Sequence, residues 1–192
     1  MQKLTHEELL RRQAKPFGKY PFCALLNNIR SLYNVGAIFR SADGVGVEKL
    51  WLCGITGIPP SSKISKTALG AEKTVPWEYR ENAVSLSREL KEMGYQIVLL
   101  EQAQGSVSYE EAEIKPPLCL IVGSEISGVN EELLALADQI LEIPMVGLKI
   151  SLNVAVAFGI AAYQIKSTLQ ERFTGGVLAP LDFDRLECEE TS

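Results

Sequence analysis

The sequence predicts an α/β fold: a mostly parallel sheet with helices on both faces, built as one domain. Short apolar runs alternate along the chain with segments whose apolar residues recur at helical spacing, and that alternation produces parallel sheets. The 192 residues are 46% hydrophobic and 22% charged, which suits a single core of the usual ~100–200 residues and excludes disorder throughout. The longest apolar stretch, 152–165, is broken by Asn153, Gly159 and Gln164. It falls short of the ~20 residues a bilayer requires, so the apolar content belongs to a core.

The elements follow in order. Residues 5–14 (THEELLRRQA) read as a short helix opened by Thr5 with Glu8 three positions on, a capping-box pattern, and ended by Pro16 and Gly18. Residues 22–27 (FCALLN) form a strand-type run. Residues 32–46 carry apolar positions at helical spacing, closed by Gly44 and Gly46, and 49–54 (KLWLCG) is again strand-like. Rich in Gly, Pro, Ser and Lys, 55–76 reads as an irregular excursion with a short helical turn, and an excursion that long is usually functional. A helix over 82–93, a strand over 95–101, a polar connection, a strand over 118–123, a helix over 131–138 and a strand over 139–144 follow. The last helix spans 151–170; apolar on nearly all sides, it is expected to be buried, with Ser151 as its N-cap. The domain is expected over 21–171, between a basic arm (1–20) and an acidic tail (172–192) that lacks fixed structure.

The composition narrows the chemistry. His6, the one histidine, sits in a polar segment, which removes most Ser-His-Asp and Cys-His schemes; a hydrolase built on Ser124 is a poor candidate without a base beside it. Cys23, Cys53, Cys119 and Cys188 are scattered with no CxxC pair, so neither zinc nor a disulfide framework is expected. The N-terminus has neither a secretory nor a transit pattern, and a cytoplasmic protein is expected. Net charge is −5, but residues 1–75 carry +6 and residues 76–192 carry −11. A basic half can supply a phosphate-tracking face, because exposed charges act within a Debye length of ~8–10 Å.

No glycine-rich turn follows the first strand and opens a helix, so a standard dinucleotide site is disfavoured. The glycine-bearing strand exits are IVGSEISGVN (121–130) and IPMVGLKISLN (143–153). With NIRSLYNVGAIFRSADGVGV (28–47), these carry an N-x-G-x-x-x-R segment, a G-x-E-x-x-G segment, and I-P-M followed by S-L-N-V. In this order and spacing they resemble the three motifs of SpoU-type (TrmH-like) RNA ribose 2′-O-methyltransferases of the SPOUT superfamily, across about residues 22–168. The resemblance implies a C-terminal trefoil knot, S-adenosylmethionine in the knot loops, a homodimer, and tRNA or rRNA as substrate, with tRNA favoured. An inactive RNA- or cofactor-binding member is the alternative. Ser124 and Ile126 stand where the second motif often has Asn and Gly, and with about 20 residues before the first strand the N-terminal RNA-binding domain of some relatives is not expected.

By the same resemblance Arg40 is the catalytic arginine, a permanent bidentate clamp for the target phosphate. Asn34, otherwise a helix cap, positions the RNA or the arginine. Glu125 orders the cofactor and RNA loops, and Gly123 and Gly128 shape the cofactor loop. Ser151 and Asn153 meet cofactor and target ribose at a buried helix start with free N–H groups, while Leu100, Ile143 and Leu152 surround the adenosine. Arg11, Arg12, Lys15 and Lys19 of the arm, with Lys63 and Lys66, are expected to track RNA phosphates; no metal is expected. Reversing the charge of those four arm residues should weaken RNA binding and flatten its salt dependence by roughly one log-log unit per lost phosphate contact. Cofactor affinity should stay unchanged. A filter-binding salt titration checks this, and an unchanged slope would make the arm plain solvated surface.

Overall fold

Among the described residues seven strands form: β1 (Phe22–Asn27), β2 (Leu50–Cys53), β3 (Trp77–Arg80), β4 (Gln96–Leu100), β5 (Val107–Ser108), β6 (Leu118–Val122) and β7 (Gln139–Glu142). The computed structural model describes residues 3–5, 7–8, 20–124 and 128–172. The strands make one sheet in the order β3-β2-β1-β6-β4-β7-β5, with every pairing parallel. All residues of β1, β2 and β6 are buried, which is why they read as continuous apolar runs: a strand covered on both faces has no polar side to show.

Both covering layers are helical, as expected. Side chains alternate across each strand, so Phe22, Ala24 and Leu26 face one layer and Cys23 and Leu25 the other. The first layer holds α1 (Leu32–Val45), α2 (Ser62–Ala68) and α5 (Val154–Arg172); Val35, Ile38 and Phe39 meet Phe158 and Ile165 over Leu26, Leu50 and Leu120. The second holds α3 (Ala83–Glu92) and α4 (Glu131–Leu136), where Leu86, Leu90 and Leu133 cover Leu25, Trp51 and Ile121. Each such fully buried side chain contributes about 1.5–3 kcal/mol of transfer free energy.

Cys23 and Cys119 face each other across the β1–β6 register, and with Cys53 they are free and buried. Burial pushes the Cys53 thiol up to about 12 against the opposing pull of Arg80. Burial and the adjoining Cys23 also raise Cys119. Thiols held protonated are poor nucleophiles and poor metal ligands, as Cys53 and Cys119 are, and all three buried cysteines serve as small core residues.

Several boundaries differ from expectation. Strand β3 was not foreseen: an edge strand of sequence WEYR, it is only partly buried and carries ion pairs from Glu78 to Lys49 (2.6 Å) and from Arg80 to Glu89 (2.6 Å) where an apolar run would be expected. Such charges also protect an edge. Helix α2 organises part of the 55–76 excursion with only Ile64 and Ala68 buried. Helix α1 is capped by the Ser31 hydroxyl, which accepts from the Asn34 N–H at 3.3 Å, and not by Asn34; it ends at Gly46, whose φ of 76° is left-handed. Helix α5 begins at Val154, and its cap is Asn153, whose Oδ1 accepts from the Ala155 N–H at 3.0 Å, and not Ser151. Nor is α5 buried on all sides: Val156 and Tyr163 are exposed. At the N-terminus the capping box forms, the Thr5 N–H donating to Glu8 at 2.7 Å and the Glu8 N–H to Thr5 Oγ1 at 3.3 Å. The rest of the expected arm helix, and the tail past Arg172, lie outside the described residues.

Gly36 sets how α1 and α2 meet. A Cβ there would stand 2.2 Å from Thr67 Oγ1 and 2.3 Å from the Ile64 carbonyl oxygen, and Thr67 donates its hydroxyl to the Tyr33 carbonyl at 2.9 Å. Gly36→Ala should destabilise by about 1–3 kcal/mol through overpacking, at roughly 2–4 °C of Tm per kcal/mol for a chain of this size. Calorimetry checks this; an unchanged Tm would mean that α2 can move off α1 freely.

Candidate active site

The chain lays β1, β2 and β3 outward on one side, then returns to build β4 on the other, so the strand order reverses beside β6. Parallel α/β sheets seat ligands at the carboxyl ends of the strands at such a reversal. A cleft of about 510 Å³ lies there, within the ~300–1,000 Å³ of small-molecule sites. Its lining brings together Leu100, Gly123, Gly128, Ile143, Ser151 and Leu152, the six residues expected to hold a cofactor. They come from the exits of β4, β6 and β7 and from the loop before α5.

The glycines have a steric reason. A Cβ on Gly123 would stand 2.6 Å from the carbonyl carbon and oxygen of Gly128, and Gly128 has a φ of +61° with the Glu101 carboxylate 2.4 Å from its missing Cβ. The Gly128 N–H closes the turn on the Ser124 carbonyl at 2.9 Å. The second motif is thus a loop with a backbone-on-backbone neck. Glu125, within that loop, lies outside the described residues.

Sequence reasoning missed the residues that fasten these loops. The Glu101 carboxylate accepts from the Gln102 N–H at 3.0 Å and from the Val129 N–H at 3.1 Å. The Gln102 amide donates to the Ile150 carbonyl at 2.7 Å. Both are polar residues at a strand exit, outside every motif, so nothing in the sequence marked them.

Asn153 Nδ2 donates to Asn34 Oδ1 at 3.1 Å across 119 positions of sequence, joining the first motif to the third. Arg40 is exposed and does not line the cleft. It lies six residues beyond Asn34 on α1, about 9 Å along the axis and roughly 120° around it. Ser151 and Asn153 are exposed as well, so the expected buried helix start is corrected: the loop before α5 runs over the surface and Val154 is the first buried residue. Lys63 and Lys66 are exposed on α2, packed beside α1. Arg11, Arg12, Lys15 and Lys19 lie outside the described residues.

Among the described residues the charged lining of the cleft is Glu101 and Glu142 alone, and Glu142 also accepts from the Ser106 hydroxyl at 2.8 Å. Two carboxylates without a lysine or arginine repel a nucleotide phosphate and favour a cation. Leu100, Ile143 and Leu152 offer apolar surface for a ring, and the glycine neck lets backbone approach a ligand closely. S-adenosylmethionine, an adenine ring joined to a sulfonium, fits this donor set. No three His, Cys, Asp or Glu gather into a metal-holding group among the described residues. A second cleft of about 440 Å³ lies at the opposite end of the sheet. Its Lys91 and Asp138 pair with each other at 2.7 Å, and it contains no motif residue.

Residues 21–163 match the SpoU rRNA Methylase family. The chain belongs to this family. It is 33% identical over 175 residues to a tRNA (guanosine(18)-2′-O)-methyltransferase of Aquifex aeolicus, covering 90% of this chain and 82% of that protein. Among solved structures it resembles the A. aeolicus TrmH/SpoU tRNA modifying enzyme, with a TM-score of 0.75 and 32% identity over 86% of this chain and 85% of that one. It also resembles an AdoMet-bound rRNA methyltransferase from Sinorhizobium meliloti, with a TM-score of 0.72 and 28% identity over 80% of this chain and 57% of that one.

If the Asn34–Asn153 bond fastens α1 to α5, Asn153→Ala should cost about 0.5–2 kcal/mol for the lost cap alone. A double-mutant cycle with Asn34→Ala should leave a coupling of about 0.5–1.5 kcal/mol for the side-chain bond. Urea denaturation of the four proteins measures it; strict additivity would mean that the bond contributes nothing.

Proposed function

We propose that this protein methylates the ribose 2′-hydroxyl of a tRNA nucleotide with S-adenosylmethionine as the donor. It is an RNA 2′-O-methyltransferase, and the observation that carries the reading is the Asn34–Asn153 hydrogen bond, which sets the RNA-facing helix against the wall of the cofactor cleft. When bound, S-adenosylmethionine supplies a methyl group on a sulfonium, already activated for transfer. The protein's own task is therefore orientation and electrostatics, which suits a chain whose single histidine lies far in sequence from the motifs.

In this reading Leu100, Ile143 and Leu152 hold the adenine ring, and the Gly123–Gly128 neck brings backbone groups to the cofactor. Glu125 orders the cofactor and RNA loops. Ser151 and Asn153 present polar groups to the target ribose. Arg40 grips the phosphate of the target nucleotide and, by phosphate-assisted or electrostatic activation, helps free the 2′-hydroxyl for attack, its proton passing to solvent as the methyl is transferred; a guanidinium is too weak an acid to serve as a free base near neutral pH. Lys63, Lys66 and the basic arm extend the phosphate track.

The protein works as a cytoplasmic homodimer, its C-terminal segment tied into a trefoil knot. Support for the dimer comes from Val146, Leu148 and Ile150, exposed in the loop before α5, together with Val156 and Tyr163 on that helix; such a patch marks an interaction surface. No helix among the described residues is long and apolar enough to cross a membrane. The rRNA reading is second: the A. aeolicus tRNA enzyme is matched over most of its length, the S. meliloti rRNA enzyme over 57%.

Arg40→Ala should lower single-turnover methyl transfer to tRNA by ~10²–10⁴ while the cofactor Kd from calorimetry stays within about twofold. Arg40→Lys should rescue little, because a point charge cannot reproduce a two-pronged grip. A rate within threefold of the parent removes Arg40 from the mechanism. Light scattering at micromolar concentration should give about twice the chain mass, and a clean monomer would count against the dimer.

A further inference from the structure

Two loops border the cofactor cleft, one after β6 and one before α5. Each is tied to one of two adjacent residues at the exit of β4. The Glu101 carboxylate spans two backbone donors, with Oε1 on the Gln102 N–H and Oε2 on the Val129 N–H. The same Oε2 fills the space beside Gly128 where a side chain would otherwise begin. Gln102 then reaches the other way and donates to the Ile150 carbonyl at 2.7 Å. Strand β4 itself is fixed, paired with β6 and β7, and the Glu101 N–H is bonded to the Leu141 carbonyl at 2.9 Å. A paired strand end therefore holds the glycine neck on one side and an exposed loop on the other.

We propose that Glu101, with Gln102, is a positioning clamp for the cofactor: it sets the separation of the two loops before S-adenosylmethionine binds. The proposal rests on reading the cleft as the cofactor site, and its physical content is preorganisation. Loops already held in the bound geometry lose little freedom on binding, so affinity is gained without a new ligand contact. Val129 is buried, so without the carboxylate its N–H is left unsatisfied and the neck must rearrange. The clamp acts through the loops, and its removal falls on cofactor affinity more than on the rate once cofactor saturates.

The test uses the full chain and three variants: Glu101→Ala, Glu101→Gln and Gln102→Ala. Hydrogen exchange followed by mass spectrometry over 124–131 without cofactor reads the clamp directly, calorimetry with S-adenosylmethionine reads its effect on binding, and single-turnover transfer at saturating cofactor reads the chemistry. Glu101→Ala should expose the Val129 amide to exchange and raise the cofactor Kd by about 10-fold, the size that one unsatisfied buried donor produces. The saturated rate should fall by less than Kd rises. Glu101→Gln keeps one acceptor oxygen for two donors and should fall between; Gln102→Ala should raise Kd while leaving the Val129 amide protected. A parent that binds cofactor beside a Glu101→Ala protein of equal affinity overturns the clamp and spares the methyltransferase reading. Equal collapse of Kd and saturated rate also overturns it, because that is general damage. If Glu101→Ala does not fold, a folded Glu101→Gln protein with parental exchange and Kd overturns it instead. A parent that binds no S-adenosylmethionine overturns the cofactor reading and this inference with it.

Discussion

Everything at the site depends on β6 being wedged between β1 and β4. Its backbone is paired on both edges, Cys119 opposite Cys23 on one side and Ile97 on the other, and its side chains are covered on both faces. A strand so enclosed can end only by turning out at the carboxyl edge of the sheet. It does so at Gly123, where the returning chain passes so close that no Cβ is tolerated. The cleft follows from that exit, because its walls are the neighbouring strand ends and the loop that leads into α5.

The uneven charge of the chain acquires a spatial meaning. Residues proposed to meet RNA phosphates, Arg40, Lys63 and Lys66, come from the half that carries +6, whereas the residues described around the cleft fall between 100 and 157, within the half that carries −11. An anionic polymer and a cationic cofactor call for opposite fields, and local screening lets both fields coexist on a small protein. The Asn34–Asn153 bond crosses between the halves, so the two ligand surfaces are fixed relative to one another by side chains of neutral charge.

How much was legible beforehand follows from burial. β1, β2, β4 and β6 were readable because central strands are apolar on both faces, and α1 and α3 because each buries one stripe. β3 was hidden, since an edge strand that carries Glu78 and Arg80 has no apolar run, and β5 has only two residues. The start of α5 was misplaced because Ser151 and Asn153 are both good caps, and only geometry shows which side chain turns back onto the helix. Of the site, Gly123 and Gly128 were visible through motif spacing, and Leu100, Ile143, Ser151 and Leu152 through the family resemblance. Glu101 and Gln102 were not, for their meaning lies in backbone groups 28 and 48 positions away.

The central slot also constrains how the protein can be made. β1 and β4 are complete by residue 100, yet each keeps an open edge until the chain has been extended through residue 122, when β6 can enter between them. Emerging from a ribosome at ~5–20 residues per second, the first half holds unpaired, apolar strand edges for at least a second. Non-local parallel pairing of this kind is slow and exposed to aggregation. Such a topology places its greatest demand on the protein during synthesis, when the nascent chain has most need of a chaperone.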